Sequence, residues 1–189
     1  MKIGILGGTF NPVHLGHLIL AQEVKEKLGL ERIIFVPAYR APHKDMAWLI
    51  PARHRLNMLK LAVRGNPAFS VSDMELRRQG VSYTIDTIAA LKKKYCEDDF
   101  FFIAGSDLAP ELKTWKHYRG LLEMVRFVIA RRPGYPAGKK LTSGVMPVKV
   151  RAVDISAADI RRRIKEGLPV RYFLPKAVHD YIVAQKLYV

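Results

Sequence analysis

An apolar run that leads directly into a pair of glycines and then into a helix is the feature that most constrains this fold. Residues 3–6 (IGIL) predict a buried parallel strand, because a strand covered on both faces is apolar at nearly every position. Apolar side chains then recur at helical spacing as far as Leu28, which predicts an amphipathic helix over residues 14–28. The segment between the two is therefore a strand-to-helix turn at the start of an α/β unit.

The composition of this turn suits a phosphate group. Gly7 and Gly8 carry no Cβ, so a ligand can approach their backbone closely. The helix that follows offers N–H groups without intrahelical partners and the positive end of its dipole. His14 and His17 are three positions apart and lie on the same side of the first helical turn. Because two imidazoles and a helix N-terminus point toward one spot, we expect the turn to bind phosphate.

Two other interpretations of the histidine pair remain open. The pair could ligate a metal ion, although no cysteine or carboxylate lies near it at a zinc-like spacing. It could also be two surface histidines on a purely structural glycine-rich turn. The turn matches neither the dinucleotide fingerprint nor the P-loop pattern, and residues 138–140 (GKK) lack the spacing and the hydroxyl of a P-loop.

Length and composition predict a single domain over residues 1–189. The chain has 189 residues and 49% hydrophobic content, so it can bury a sizeable core. No apolar run approaches the roughly 18 residues that span a membrane. Residues 1–4 lead straight into a strand without the pattern of a signal peptide. The lone Cys96 excludes an internal disulfide, and together these features predict a soluble cytoplasmic protein.

The net charge of +15 predicts an anionic partner. Residues 126–165 alone hold 11 Lys or Arg against two acids, Asp154 and Asp159. A nucleic-acid role would predict aromatic residues interleaved with these bases or a recognisable binding module, and neither is visible. A small phosphorylated substrate accounts for only a few of the charges, so we expect the remainder to be solvated surface.

Strand and helix patterns alternate along the rest of the chain. The predicted strands are residues 32–36, 69–76 (an exposed or edge strand), 100–104, 125–130 and 148–153. The predicted helices are residues 51–63, 82–95, 108–115, 118–123, 156–166 and 175–185. Ser82 or Thr84 could cap the second of these, and a capping box runs from Ser156 to Asp159. This alternation predicts a parallel sheet wound with right-handed crossovers.

Polar residues collect where the predicted strands end. Five such segments follow a strand: residues 9–17, 42–44, 105–107, 131–132 and 154–156. Because ligands of open α/β sheets bind at the carboxyl ends of the strands, we expect these segments to converge on one site.

The opening turn also carries a family resemblance. Residues 9–17 (TFNPVHLGH) resemble the (T/S)-x-x-x-x-H-x-G-H signature of the nucleotidylyltransferase superfamily. Over nearly the whole chain the sequence resembles the bacterial nicotinate-nucleotide adenylyltransferases, through residues 42–44, 82–87, 105–107, Trp115, 131–134 and 155–161. The resemblance implies an α/β fold with a Rossmann-like, doubly wound parallel sheet of nucleotidyltransferase type and C-terminal helices.

The resemblance implies an activity as well. This family joins nicotinate mononucleotide to the AMP part of ATP with Mg²⁺, releasing pyrophosphate and forming deamido-NAD. The residue types suit that chemistry, because a mononucleotide phosphate is largely dianionic at neutral pH and needs no general base. The protein has only to align the reactants and neutralise developing charge.

The family's functional residues map onto named positions here. The resemblance assigns catalysis to His14, His17 and Lys44, and ATP binding to Gly7, Gly8, Thr9, Phe10, His14, His17, Ser156 and Arg161. It assigns the mononucleotide to Lys44, Tyr83, Thr84, Gly105, Asp107, Trp115, Lys116 and Arg132. In this assignment Trp115 stacks on the pyridine ring and Thr84 helps to bind its carboxylate.

Plainer roles stay open for several of these residues. Lys44 could be a solvated loop lysine, and Arg161 could be one more charge in an arginine run. Asp107 could merely cap a helix, and Trp115 could be a core residue between two helices.

Two departures from the family pattern, and two rival functions, also remain. Ala158 stands where the family usually has Thr, and Lys116 stands where it often has Tyr. The enzyme could instead use nicotinamide mononucleotide or phosphopantetheine, since a single hydrogen-bond pattern can decide between acid and amide. A non-catalytic nucleotide- or nucleic-acid-binding protein is the other alternative, and a homo-oligomer is left open.

Overall fold

The structure is a computed structural model that describes residues 1–42, 48–131, 144–151 and 153–189, without the side chain of Asp107. Its strands are β1 (Lys2–Gly8), β2 (Arg32–Pro37), β3 (Phe69–Val71), β4 (Asp99–Gly105), β5 (Arg126–Arg131) and β6 (Val145–Lys149). Its helices are α1 (Leu15–Leu28), α2 (Ala52–Val63), α3 (Met74–Arg78), α4 (Thr84–Lys94), α5 (Tyr118–Met124), α6 (Ala157–Lys165) and α7 (Lys176–Ala184), with a 3₁₀ helix at Ser106–Thr114.

The strands form a six-stranded sheet in the order β3-β2-β1-β4-β5-β6, and every neighbouring pair is parallel. β1 lies between β2 and β4, so the chain winds outward from the middle of the sheet in both directions. The strand order reverses between β1 and β4, and a doubly wound sheet opens a crevice at that place, outside the carboxyl ends of the strands. The predicted doubly wound α/β fold is confirmed.

Two apolar cores cover the two faces of the sheet. Alternate residues of β2 divide between them, with Ile33 and Phe35 in one core and Ile34 and Val36 in the other. α1, α2, α6 and α7 pack on the first face through residues such as Val24, Leu59, Ile160 and Val178. α4, α5 and the 3₁₀ helix pack on the second face through Ile88, Leu121 and Leu112. Burial on both faces explains why the strands read as continuous apolar runs.

The predicted strand over residues 69–76 is wrong in its second half. The strand ends at Val71, and Met74–Arg78 forms α3 instead. The side chain of Glu75 is buried there, and its carboxylate accepts a hydrogen bond of 2.5 Å from the hydroxyl of Thr87. This contact is made with α4, so no local pattern could show it. The edge position of the strand is confirmed.

The last strand begins three residues and ends four residues before the predicted 148–153. β6 runs from Val145 to Lys149 and begins by pairing Val145 with Phe127 of β5. Val148 and Val150 are both buried, although Val150 lies just beyond the end of the strand. β6 is an edge strand, which is where a proline such as Pro147 is tolerated.

One predicted cap is present and the other is not. The hydroxyl of Ser156 accepts the backbone N–H of Asp159 at 3.1 Å and so begins α6 as expected. α4 has Tyr83 at its N-cap with no side-chain cap bond, because the Ser82 hydroxyl is used to accept the N–H of Tyr39 at 2.9 Å. Residues 138–140, which lack the pattern of a P-loop, lie outside the described residues. Of the helices that are described, none has the length and apolar character needed to cross a bilayer.

Candidate active site

The two histidines of the opening turn are brought face to face. His14 is the N-cap of α1, and its ring stacks on that of His17 with centroids 3.7 Å apart and planes 32° apart. The backbone N–H of His14 donates to Nδ1 of His17 at 3.2 Å. In the neutral ring the proton of His17 is therefore on Nε2, which makes that atom a hydrogen-bond donor.

The glycines around the histidines make room for the turn's own aromatic rings. A Cβ on Gly8 would lie 3.2 Å from the ring of Phe10, and a Cβ on Gly16 would lie 3.0 Å from Nδ1 of His14. Phe10 is only 2% exposed, adopts a left-handed φ of 49° and packs edge-on against His17 with centroids 5.0 Å apart. Gly8 and Gly16 therefore leave room for the rings of Phe10 and His14, a role that was not expected from the sequence.

Thr9 presents a buried hydroxyl to the same turn. Among the described residues, its Oγ1 is buried and has no hydrogen-bond partner. Leaving a buried hydroxyl unpaired costs free energy, and such atoms in functional sites often bind an absent ligand. The carbonyl of Thr9 is held from the other side, by Arg55.

Arg55 is a structural residue of the site that sequence reasoning missed. It is 1% exposed within α2, and Nη1 donates to the carbonyls of Thr9 (2.9 Å) and Ala38 (2.6 Å). Nη2 reaches the carbonyl of Tyr39 at 3.2 Å. Burial lowers the pKa of Arg55, although the neighbouring Tyr188 raises it. Arg55 thus joins the turn after β1 to the loop after β2. The sequence signal that could have identified it is its position four residues before Leu59, on the apolar face of the predicted helix.

The arginine run of α6 divides into separate roles. Nη1 of Arg161 donates to the carbonyl of Asn11 at 2.7 Å, which brings α6 against the opening turn. Arg162 instead pairs with Asp159 and Glu166 at the surface, both at 2.6 Å. Arg163 donates to the carbonyl of Pro169. Arg161 alone of the three contacts the turn through these bonds, while Ser156 and Ala158 are exposed near the start of the helix.

Several residues assigned to the mononucleotide lie around the start of α4. Nζ of Lys116 lies 4.4 Å from the ring centre of Tyr83 and 3.9 Å from a carboxylate oxygen of Asp86. Thr84 is the first residue of α4. Trp115 is half-buried, with its ring edge-on to Phe102 at 5.7 Å. Trp115 therefore packs against the core and still has an exposed part.

The carboxyl edge of the sheet places two glycines side by side. Gly105 ends β4 and Gly8 ends β1, and the pairing of Leu6 with Ile103 sets these ends next to one another. Lys44, Arg132 and the side chain of Asp107 lie outside the described residues.

A protein-borne metal site is not seen in the part of the chain that the structure describes. No group of three or more His, Cys, Asp or Glu side chains is placed there to hold an ion. The candidate site is instead built from imidazoles, a guanidinium, a hydroxyl and a helix N-terminus, which are groups that bind anions.

Comparison with known proteins shows the family of this chain. The family model described as Cytidylyltransferase-like matches residues 5–163. A probable nicotinate-nucleotide adenylyltransferase of Thermus thermophilus is 45% identical over 188 residues, which is 100% of each chain. The corresponding protein of Bacillus pumilus is 43% identical over 99% of this chain and 98% of its own. The chain belongs to the nicotinate-nucleotide adenylyltransferase family.

Solved structures confirm the fold of this adenylyltransferase family member. The nicotinic acid mononucleotide adenylyltransferase of Plasmodium falciparum, complexed with NaAD, has a TM-score of 0.82 at 19% identity and covers 99% of this chain and 97% of its own. A putative nicotinate-nucleotide adenylyltransferase from Vibrio parahaemolyticus has a TM-score of 0.73 at 18% identity, over 99% of this chain and 94% of its own.

Proposed function

We propose that this chain, acting as one nucleotidyltransferase domain over residues 1–189, transfers the adenylyl group of ATP to nicotinate mononucleotide. The products are deamido-NAD and pyrophosphate. The observation that carries the proposal is the stacked pair His14 and His17 at the N-terminus of α1, beside the point where the strand order reverses. Full-length identity of 43–45% to proteins named for this reaction supports the same choice.

The reaction asks for alignment rather than for a proton relay. An oxygen of the mononucleotide phosphate bonds to the α-phosphorus of ATP, while the bond from that phosphorus to the bridging oxygen of pyrophosphate breaks. The attacking phosphate has a second pKa of about 6 and is already largely dianionic at neutral pH. The protein therefore has to hold the two nucleotides in line and to stabilise charge on the departing pyrophosphate.

The opening turn supplies the groups for the ATP phosphates. His14, the Nε2–H of His17, the hydroxyl of Thr9 and the first N–H groups of α1 would donate to phosphate oxygens. Lys44, Ser156 and Arg161 add donors, and Gly7, Gly8 and Phe10 shape the turn. A donor of this kind stabilises the transition state when it is preorganised, and the bond to His17 Nδ1 preorganises this ring.

Mg²⁺ fits this site as a partner of ATP. The described residues offer donors and positive charge rather than a carboxylate cluster, so the phosphates and water would be the main ligands of the ion. When bound, Mg²⁺ would neutralise charge on the leaving pyrophosphate.

The start of α4 and the residues after the 3₁₀ helix form the proposed mononucleotide subsite. Trp115 offers a partly exposed ring for the pyridine. Thr84, the helix N-terminus beside it and Lys116 offer donors and positive charge for a carboxylate. Tyr83, Gly105, Asp107, Lys44 and Arg132 are assigned to the rest of the mononucleotide. These donors and this positive charge bind a carboxylate better than a neutral amide. The subsite therefore favours nicotinate mononucleotide over nicotinamide mononucleotide.

The decisive experiment offers three acceptors to the purified protein with ATP and Mg²⁺. We expect pyrophosphate release with nicotinate mononucleotide, and much less with nicotinamide mononucleotide or phosphopantetheine. The dinucleotide product is identified by mass. Turnover with one of the other acceptors and none with nicotinate mononucleotide would replace the proposed substrate, and no turnover with any acceptor would remove the proposed activity.

Both nucleotides are cytoplasmic metabolites, and we place the enzyme in that compartment.

A further inference from the structure

We propose that Tyr188 is a positioning residue for the adenylyl transfer, because its hydroxyl holds Asn11 and thereby the turn that carries His14 and His17. The expected effect of Tyr188 on kcat rests on the proposed function. Its structural basis is a bond between two residues that lie 177 positions apart.

Asn11 is the point at which three other segments grip the opening turn. The hydroxyl of Tyr188 donates to Oδ1 of Asn11 at 2.9 Å. Nδ2 of Asn11 donates to the carbonyl of Trp48 at 2.7 Å, and the carbonyl of Asn11 accepts Nη1 of Arg161 at 2.7 Å. Asn11 is only 7% exposed, so a lost partner here is not simply replaced by bulk water.

The backbone next to Asn11 needs such support. Phe10 precedes it with a φ of 49°, in the left-handed region that costs a non-glycine residue free energy. This conformation persists only when the surrounding structure holds it. His14 follows three residues later, and its backbone N–H is the group that orients His17. Because only two residues separate Asn11 from His14, a shift of Asn11 is transmitted to both imidazoles through a short piece of backbone.

Tyr188 is suited to act as a permanent donor. Its ring packs against the core that covers α1 and α7. Burial raises the pKa of the Tyr188 hydroxyl, although the neighbouring Arg161 and Arg55 lower it. The hydroxyl stays protonated throughout the range of an enzyme assay, so the bond to Asn11 does not depend on pH there.

The test compares two tyrosines that differ in what their hydroxyls hold. Tyr188→Phe removes only the bond to Asn11. Tyr181→Phe is the matched control, because its hydroxyl bonds to His54 and Asn57 of α2, at 2.9 and 3.1 Å, and not to the turn. We expect Tyr188→Phe to lower kcat about 5- to 20-fold, the lower part of the range that corresponds to a buried acceptor left unpaired, with the KM for ATP within about twofold. Tyr181→Phe should keep the wild-type kcat.

A double mutant shows whether the effect passes through Asn11. If it does, Asn11→Ala with Tyr188→Phe should have the kcat of Asn11→Ala alone, because the bond is already absent. Independent, multiplying losses would contradict the proposal. A merely structural role for Tyr188 would lower the midpoint of thermal unfolding and leave kcat unchanged well below that midpoint, which would also overturn it.

A readout without turnover separates this inference from the proposed function. The ¹⁵N signals of the His14 and His17 imidazoles should shift in Tyr188→Phe and stay unchanged in Tyr181→Phe. A wild-type protein that is inactive with every acceptor, together with shifted signals, would contradict the function and leave the Tyr188–Asn11 link standing. An active wild type whose kcat and imidazole signals are both unaffected by Tyr188→Phe would contradict the role of Tyr188 alone.

Discussion

At the scale of single residues, the imidazole of His17 has one nitrogen bound to the backbone, and this decides what the other nitrogen does. Nδ1 accepts the N–H of His14, so Nε2 carries the proton of the neutral ring and can donate without a prior protonation. The ring is also held between His14 and Phe10, at centroid distances of 3.7 and 5.0 Å. Because the ring is already fixed, it need not be reoriented, at a cost in entropy, when charge develops on a phosphate.

His17→Ala is expected to lower turnover about 100-fold or more, the scale seen when one preorganised donor to a transition state is removed. The KM for the mononucleotide should change far less than kcat. His179→Ala serves as the control, because His179 lies in α7 and its ring contacts Asp180. Initial rates of pyrophosphate release measure both, and a His17→Ala enzyme within a few-fold of wild type would end the assigned role.

Arg55→Ala is expected to lower the free energy of unfolding by about 2–4 kcal/mol, because it leaves the carbonyls of Thr9 and Ala38 without their donor in a buried place. Arg53→Ala, two positions earlier on the exposed side of α2, should change it by less than about 0.5 kcal/mol. Urea denaturation followed by circular dichroism compares them. Equal losses for the two variants would show that Arg55 does not join the two loops.

At the scale of elements, α3 and α4 are tied together by a carboxylate that the strand prediction had overlooked. Glu75 accepts from Thr87, and the N–H of Ser82 bonds to the carbonyl of Arg40 at 2.8 Å. The loop after β2 and the start of α4 are thus set against one another. Tyr83 and Thr84, assigned to the mononucleotide, depend on this arrangement.

The stability of these elements should depend on the ionisation of Glu75. Burial raises the pKa of this carboxyl above its usual value, while the bonds from Thr87 and Ser82 and the charge of Arg78 lower it. The neutral form is therefore favoured by folding, and wild type loses stability as pH rises from about 4.5 through the folded-state pKa. Glu75→Gln removes this loss.

Glu75→Gln should accordingly gain stability relative to wild type as the pH of a denaturation series rises through that window. The exposed Glu97→Gln is the control and should follow the wild-type curve within about 0.5 kcal/mol. A constant difference between Glu75→Gln and wild type at every pH would contradict the assigned cause.

The sequence could predict those elements whose stabilising contacts show in a local pattern of residues. β1, β2, β4 and β5 are apolar on both faces and were visible as runs, and α1 and α2 repeat apolar residues at helical spacing. β3 and β6 are short edge strands that owe their bounds to a partner strand, so local patterns misplaced them. Similarly, the roles of Arg55, Asn11 and Tyr188 come from contacts between distant segments. The motif at residues 9–17 and the segments at 82–87 and 155–161 could instead be recognised from the sequence.

At the scale of the whole molecule, the charge of +15 is the property that the site explains least. Ion pairs such as those of Arg162 with Asp159 and Glu166 do not lower this value, because the net charge already counts their carboxylates. The excess positive charge gives a field that attracts anions in general, including the two nucleotide substrates.

Salt should distinguish a mononucleotide enzyme from a nucleic-acid binder. Between 50 and 200 mM salt, we expect kcat/KM for ATP to fall only a few-fold, because few phosphates are engaged. Binding that neutralised six or more phosphates would instead weaken about 1,000-fold or more over the same range. Fluorescence anisotropy with a labelled oligonucleotide, beside the enzyme assay, measures both. Tight, steeply salt-dependent oligonucleotide binding without adenylyl transfer would favour the rival class.

Asn11 is gripped by side chains that come from 150 and 177 positions further along the chain. The opening turn is thus held by α6 and by Tyr188, which lies beyond the C-terminal end of α7, although β1 and α1 belong to the first 28 residues. If α6 and the C-terminal residues detach in mild denaturant, the sheet can remain folded while the opening turn loses its hydrogen bonds from Arg161 and Tyr188. Such a partly opened form would have a native far-ultraviolet circular dichroism spectrum but no activity. Activity should therefore be lost at a lower denaturant concentration than the circular dichroism signal.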